Sequence, residues 1–133
     1  ELYGFIYGSR SGQKTRLWGR VLLEHQLALD GRLVWSVISR ETLAEAGAVR
    51  EDLDGAIDLL KGVKGAHAAA LLSQLDDGSF KVSLRSVESI DVERVARELG
   101  GGGHAKAAGY SATGTAQEIL DTLKDVLNKE LDT

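Results

Sequence analysis

From Leu53 onwards the apolar and polar positions of this chain follow two clear periods. Leu53, Ala56, Ile57 and Leu60 recur at the spacing that gathers apolar side chains on one face of a helix. Phe80, Val82 and Leu84 alternate with Lys81, Ser83 and Arg85, the two-residue period of a strand with one buried face. Between these segments, after Gly62 and Gly65, the smooth apolar run from Ala66 to Leu75 predicts a buried central strand, and Asp76-Asp77-Gly78 turns the chain into the next one. Val92, Val95, Ala96 and Leu99 form a second helical stripe behind Asp91, a residue type suited to the N-cap. A capping box, Thr115-x-x-Glu118, precedes a last helix whose apolar face is Ile119, Leu120, Leu123, Val126 and Leu127.

The first third is less regular. Leu17 to Leu29 reads as β-like, interrupted by His25 and Gln26, and Asp30-Gly31 signals a hairpin into a strand from Arg32 to Ile38. Ser39 is placed to cap a short helix carrying Leu43 and Ala44 that stops at Gly47. A short strand, Tyr110 to Ala112, follows Gly109. Glu1 to Lys14 has no clear period and reads as a linker or arm, so the expected division is an arm over 1–16 and a single domain over 17–133. Interleaved strands, helices and hairpins predict an α/β (α+β) fold, a mixed sheet of about five strands flanked by helices.

Composition narrows the function more than the fold. A chain of 133 residues suits one domain with a real core. It has no cysteine, which excludes a disulfide framework, a thiolate metal site and a cysteine nucleophile. No apolar run approaches the ~18 residues of a membrane span, so a cytoplasmic location is the default expectation. The net charge of −4 argues against a general nucleic-acid coat driven by counterion release, so a nucleotide partner must bind at a local site. No methionine is present, as expected if the start residue was removed or if the chain is a piece of a longer protein.

The candidate chemistry centres on Gly100-Gly101-Gly102-Gly103-His104-Ala105-Lys106. Consecutive glycines leave amide N–H groups uncovered, so Gly101, Gly102 and Gly103 read as an anion cradle with His104 and Lys106 at its lip. The competing reading is structural: Gly100 caps the preceding helix and the run is only a turn. Nothing here matches a Walker loop or a dinucleotide fingerprint. Arg85 offers a guanidinium suited to bidentate phosphate contact, with Ser83 and Ser86 as neighbouring hydroxyl donors, although an arginine at a strand end is more commonly a solvated residue. His25, His67 and His104 lie far apart without ligand spacing, so no metal site is expected in this chain.

These residues carry a resemblance. The segment Ser83-Leu84-Arg85-Ser86, then Asp91-Val92, then GGGGHAKAAG from Gly100 to Gly109, resembles the DHHA1 domain, the C-terminal substrate-binding domain of DHH-family phosphoesterases. The similarity runs from about Leu17 to the end and is nearest to the nanoRNase and pAp-phosphatase subfamily. The resemblance implies that Arg85 and the GGGH motif, including His104, recognise substrate phosphate. It also implies that a missing N-terminal catalytic DHH domain holds two divalent metals, typically manganese, because this chain lacks the family's Asp-His-His triplet. On that basis the fragment alone binds short single-stranded RNA or DNA, or nucleotide phosphates, and hydrolyses nothing. A homodimer is a further expectation, since separation from the catalytic domain uncovers a surface. The alternative is the DHHA1-like C-terminal module of alanyl-tRNA synthetases, which serves tRNA contact and assembly.

Overall fold

The computed structural model describes residues 12–132, so the expected arm lies outside the described residues except for its last part. That part opens a helix. Helix α1 spans Gly12–Leu23, which corrects both the arm through residue 16 and the β-like reading that began at Leu17. Leu17 and Val21, one turn apart, are fully buried, and the Trp18 indole N–H donates to the Asp52 carbonyl at 2.7 Å. The contiguous apolar residues Val21, Leu22 and Leu23 carry no periodicity of their own. Packing of Leu17 and Val21 against the core decided the period.

Strand β1 is short, Gln26–Ala28, and pairs antiparallel with β2, Leu33–Ile38. The Asp30-Gly31 turn between them makes the expected hairpin, with left-handed backbone from Leu29 to Gly31. Ser39 then caps α2, Arg40–Glu45, its Oγ accepting from the Thr42 amide at 3.1 Å. The stripe from Leu53 to Leu60 is buried as expected, but it is divided between a 3-10 turn, Arg50–Leu53, and α3, Ala56–Leu60. Gly55 causes the division: its φ is 90°, and a Cβ there would stand 3.1 Å from the Trp18 ring.

Strand β3, Ala68–Gln74, runs parallel to β2 and antiparallel to β4, Phe80–Ser86. Helix α4, Val92–Glu98, begins at Asp91, whose carboxylate accepts from the amides of Glu93 and Arg94. The chain then forms a two-residue strand β5, Gly102–Gly103, and returns as β6, Ala107–Ala112. Helix α5, Ala116–Leu131, closes the fold behind the predicted capping box.

The result is a mixed sheet of six strands in the order β1-β2-β3-β4-β6-β5, with helices on both faces. The additional strand is the glycine run itself, and β6 starts at Ala107, earlier than its apolar pattern suggested. One core lies between the sheet and helices α4 and α5. There Leu72, Val82, Leu84, Val92, Leu123 and Leu127 are fully buried, each leucine contributing ~1.5–3 kcal/mol. A second core lies on the other face, where α1 to α3 cover Val34, Ile38, Ala69 and Leu71. Among the described residues no helix is long and apolar enough to cross a membrane.

Candidate functional site

The second face is only half covered. Helices α1 to α3 sit over β2 and β3, with α3 reaching β4 where its Asp58 meets Arg85, and among the described residues β6 and β5 carry no such layer. Strand register fixes what lies there. Arg85 pairs with Ala107, Ser83 with Gly109 and Lys81 with Ser111, so these six positions point to one side of the sheet. Gly109 pairs in turn with Gly102, and the His104 amide donates to the Ala107 carbonyl at 2.8 Å. Two cross-strand rows follow: Arg85, Ala107 and His104 in one, Ser83, Gly109 and Gly102 in the next. Arg85 and His104 thus stand two strands apart, about 10 Å between their backbones, flanking a strip almost without side chains.

The glycine run is built differently from an open loop of free amides. Gly100 has φ 93° and donates to the Arg97 carbonyl at 3.1 Å, while Gly101 donates to the Ala96 carbonyl at 2.8 Å. These two bonds are the Schellman ending of α4, so the structural reading holds for both residues. The Gly101 N–H is occupied and cannot cradle an anion. Its missing side chain still matters, since a Cβ at Gly101 would lie 2.1 Å from the Gly109 carbonyl oxygen. Gly103 is equally constrained, with φ 144° and a Cβ position 2.6 Å from Ala108 Cα.

Gly102 is the exception. Its φ is not in the left-handed region, and a Cβ there would meet nothing within 4 Å. Among the described residues no contact requires glycine at this position. His104 and Ala107 exchange N–H···O bonds, which makes Gly102 and Gly109 the next hydrogen-bonded pair of the ladder. By the same alternation the Gly103 N–H points off the open edge of the sheet.

Arg85 is half-buried. One terminal nitrogen donates to the Leu84 carbonyl at 3.0 Å, and its Nε lies 3.5 Å from a carboxylate oxygen of Asp58. The Asp58 side chain is 54% exposed, so this is a weak, solvent-screened pair that a doubly charged anion can displace. The His104 ring is exposed at the turn between β5 and β6. Arg85, Gly102, Gly103 and His104 are therefore brought together.

Ser86 and Lys106 are not. Ser86 is one residue out of phase with Arg85, so it faces α4; it is 4% exposed and its Oγ donates to the Ile90 carbonyl at 2.6 Å. Lys106 lies exposed in the turn before β6 and extends its ammonium to the Glu88 carbonyl. The two-residue period of β4 turns Ser86 away from Arg85, whereas Lys106 is drawn to the Glu88 carbonyl.

Beside the bare strip a cleft of about 230 Å³ opens between the 3-10 turn and β4. Arg50, Asp54, Lys81, Ser83 and Arg85 are among the residues lining it. Arg50 was not legible as a site residue, since nothing near it in sequence signals chemistry. Lys81 was legible only as a partner of Arg85 in the alternation. Among the described residues no group of three His, Asp or Glu side chains is placed to hold a metal ion.

A mixed sheet whose edge strand is a glycine run tied to a helix cap, with an arginine and a histidine on its open half, defines a domain of the α/β class. The chain belongs to the DHHA1 domain family, whose model matches residues 30–131. It is 30% identical over 119 residues to the bifunctional oligoribonuclease and PAP phosphatase NrnA of Thermus thermophilus, a match covering 86% of this chain and 35% of that protein. A crystal structure of an exopolyphosphatase-related protein from Bacteroides fragilis superposes with a TM-score of 0.85 at 26% identity, covering 96% of this chain and 37% of that one. The C-Ala domain of Aquifex aeolicus alanyl-tRNA synthetase matches at TM-score 0.57 and 20% identity, over 78% of this chain and 97% of the domain; that likeness shows the fold alone. The chain thus spans about a third of the length of the relatives NrnA and the Bacteroides protein.

Proposed function

We propose that this chain is the substrate-recognition domain of a DHH-family phosphoesterase that hydrolyses nanoRNA, pAp or dinucleotides. In this reading a preceding DHH domain carries the two divalent metals, manganese by expectation, and activates water there. The present domain holds the ligand and fixes its orientation, a task worth several kcal/mol of barrier when the geometry is maintained. The observation that carries the reading is the pair of rows on the bare half-sheet. Arg85 and His104 flank Gly102 and Gly109, where a ligand can approach the backbone without meeting a side chain. Arg85 supplies the bidentate phosphate contact and the His104 ring a donor at the far side of the strip.

The relationship to a named oligoribonuclease and PAP phosphatase favours this reading over the synthetase module, because it rests on sequence as well as fold. The partner is accordingly a short single-stranded oligonucleotide or a nucleotide phosphate. The expected compartment is the cytoplasm, where such substrates arise. We infer contact with the DHH domain across the bare half-sheet, and self-association only where that surface is left uncovered.

Titration of the chain with pAp and a short oligoribonucleotide, followed by amide shifts in NMR, tests the reading. Shifts at Gly102 to His104 and at Arg85, lost in an Arg85→Ala, His104→Ala double variant, are the expected result. Shifts confined to other surfaces, or unchanged in that variant, overturn it.

A further inference from the structure

We propose that the cleft between the 3-10 turn and β4 is a second anion subsite, in which Arg50 and Lys81 hold a further phosphate of the ligand. The proposal rests on the reading above for the first phosphate, at Arg85, and adds the class of ligand: one with at least two separated phosphates, a short oligonucleotide before a mononucleotide.

The argument begins with charge. The chain as a whole carries −4, yet Arg50, Lys81 and Arg85 converge on one small cleft with Asp54 as the carboxylate among its lining residues. Such convergence against the net charge is unfavourable in the free protein, because like charges repel at short range. Asp58 lies beside Arg85 and compensates that residue alone. The Arg50 Nε is buried without any hydrogen-bond partner. A buried, unmade guanidinium hydrogen bond carries a desolvation cost. Lys81 is exposed.

Distance then separates the two subsites. Lys81 and Arg85 are four residues apart on one face of β4, about 13 Å along the strand, with the Ser83 hydroxyl between them. That span exceeds the size of a single phosphate. A single-stranded backbone running along β4 can reach both ends, its first phosphate at Arg85 and a later one between Lys81 and Arg50. This is the charged-groove arrangement by which proteins track single strands without reading sequence.

The test uses the full chain, with AMP and the 5′-phosphorylated trinucleotide pApApA as probes and an Arg50→Gln, Lys81→Ala variant beside the wild type. Lys81→Ala alone serves as a control that leaves the core untouched. The trinucleotide is expected to bind at least tenfold more tightly than AMP. The double variant is expected to lose most of that advantage while AMP affinity stays unchanged. The slope of log affinity against log salt for pApApA is expected to fall by about 0.7 for each phosphate contact removed. Equal affinity for the two probes, or an unchanged pApApA affinity and salt slope in the variant while Arg85→Ala still abolishes binding, overturns the second subsite and leaves the first. If pApApA binds without perturbing Arg85 or His104, the reading of the first site fails as well.

Discussion

On one face of the sheet, α4 and α5 bury Leu72, Val82 and Leu84 completely; on the other, α1 to α3 reach only as far as β4, so that Lys81 is exposed and Ser83, Arg85, Gly109 and Gly102 stay partly exposed. The same strands, β4 and β6, serve both faces. Their even-numbered residues are Phe80, Val82, Leu84, Ser86, Ala108, Tyr110 and Ala112, and their odd-numbered residues are small or charged. The bare half-sheet therefore sacrifices little apolar burial, because it has almost no apolar side chains to bury. In β4 and β6 apolar burial is therefore concentrated on the closed face.

Substitutions that distinguish the faces break or sharpen this comparison, and the largest effect is expected on the closed face. Leu123→Ala removes a fully buried side chain and should lower unfolding free energy by ~2–5 kcal/mol, read from the denaturation midpoint at unchanged slope. Gly101→Ala places a Cβ against the Gly109 carbonyl and should cost about 1–3 kcal/mol, because two backbones must separate. If that variant unfolds like the wild type, the close packing of β5 on β6 is misplaced.

Asp91→Ala removes the carboxylate that accepts from the first amides of α4 and should cost about 1 kcal/mol, with the helix C-terminus and the glycine strand loosened together in hydrogen exchange. Gly102→Ala should change stability by no more than about 0.5 kcal/mol, since its Cβ enters open space. A bulkier Gly102→Leu should weaken nucleotide binding far more than it alters the melting temperature. Loss of both together would make Gly102 a structural residue.

The smallest effect is a pH dependence at α5. The Thr115 backbone amide and hydroxyl both bond within the capping box, the former donating to Glu118 at 2.9 Å, and they hold the Glu118 carboxyl below its ordinary pKa. A depressed folded-state pKa means stability present above the unfolded value and lost as pH falls through the folded one. The melting-temperature difference between wild type and Glu118→Gln should therefore shrink below about pH 4. A gap that widens on acidification reverses the sign and removes the capping contact.

Much of this was legible along the chain. The alternation from Phe80 to Arg85, the caps at Ser39, Asp91 and Thr115 and the Asp30-Gly31 turn each depend on hydrogen bonds or periods within a few residues, and each appears in the structure. The motif around Arg85 and His104 was visible for a similar reason, as a run of residue types in fixed order. What stayed hidden depends on residues distant in sequence. The helical state of Leu17 to Leu23 follows from packing against the second core, since its apolar run fits either period.

The same division holds at the site. Sequence determined that a glycine run follows a capped helix and that an arginine alternates with buried residues. Only the register between β4 and β6, and between β6 and β5, placed Arg85, Gly102 and His104 on one face and sent Ser86 to the other. Only the fold brought Arg50 opposite Lys81. Local sequence sets which backbone conformations and hydrogen bonds are cheap, whereas the side of a sheet and the company a side chain keeps are fixed by pairings across many intervening residues.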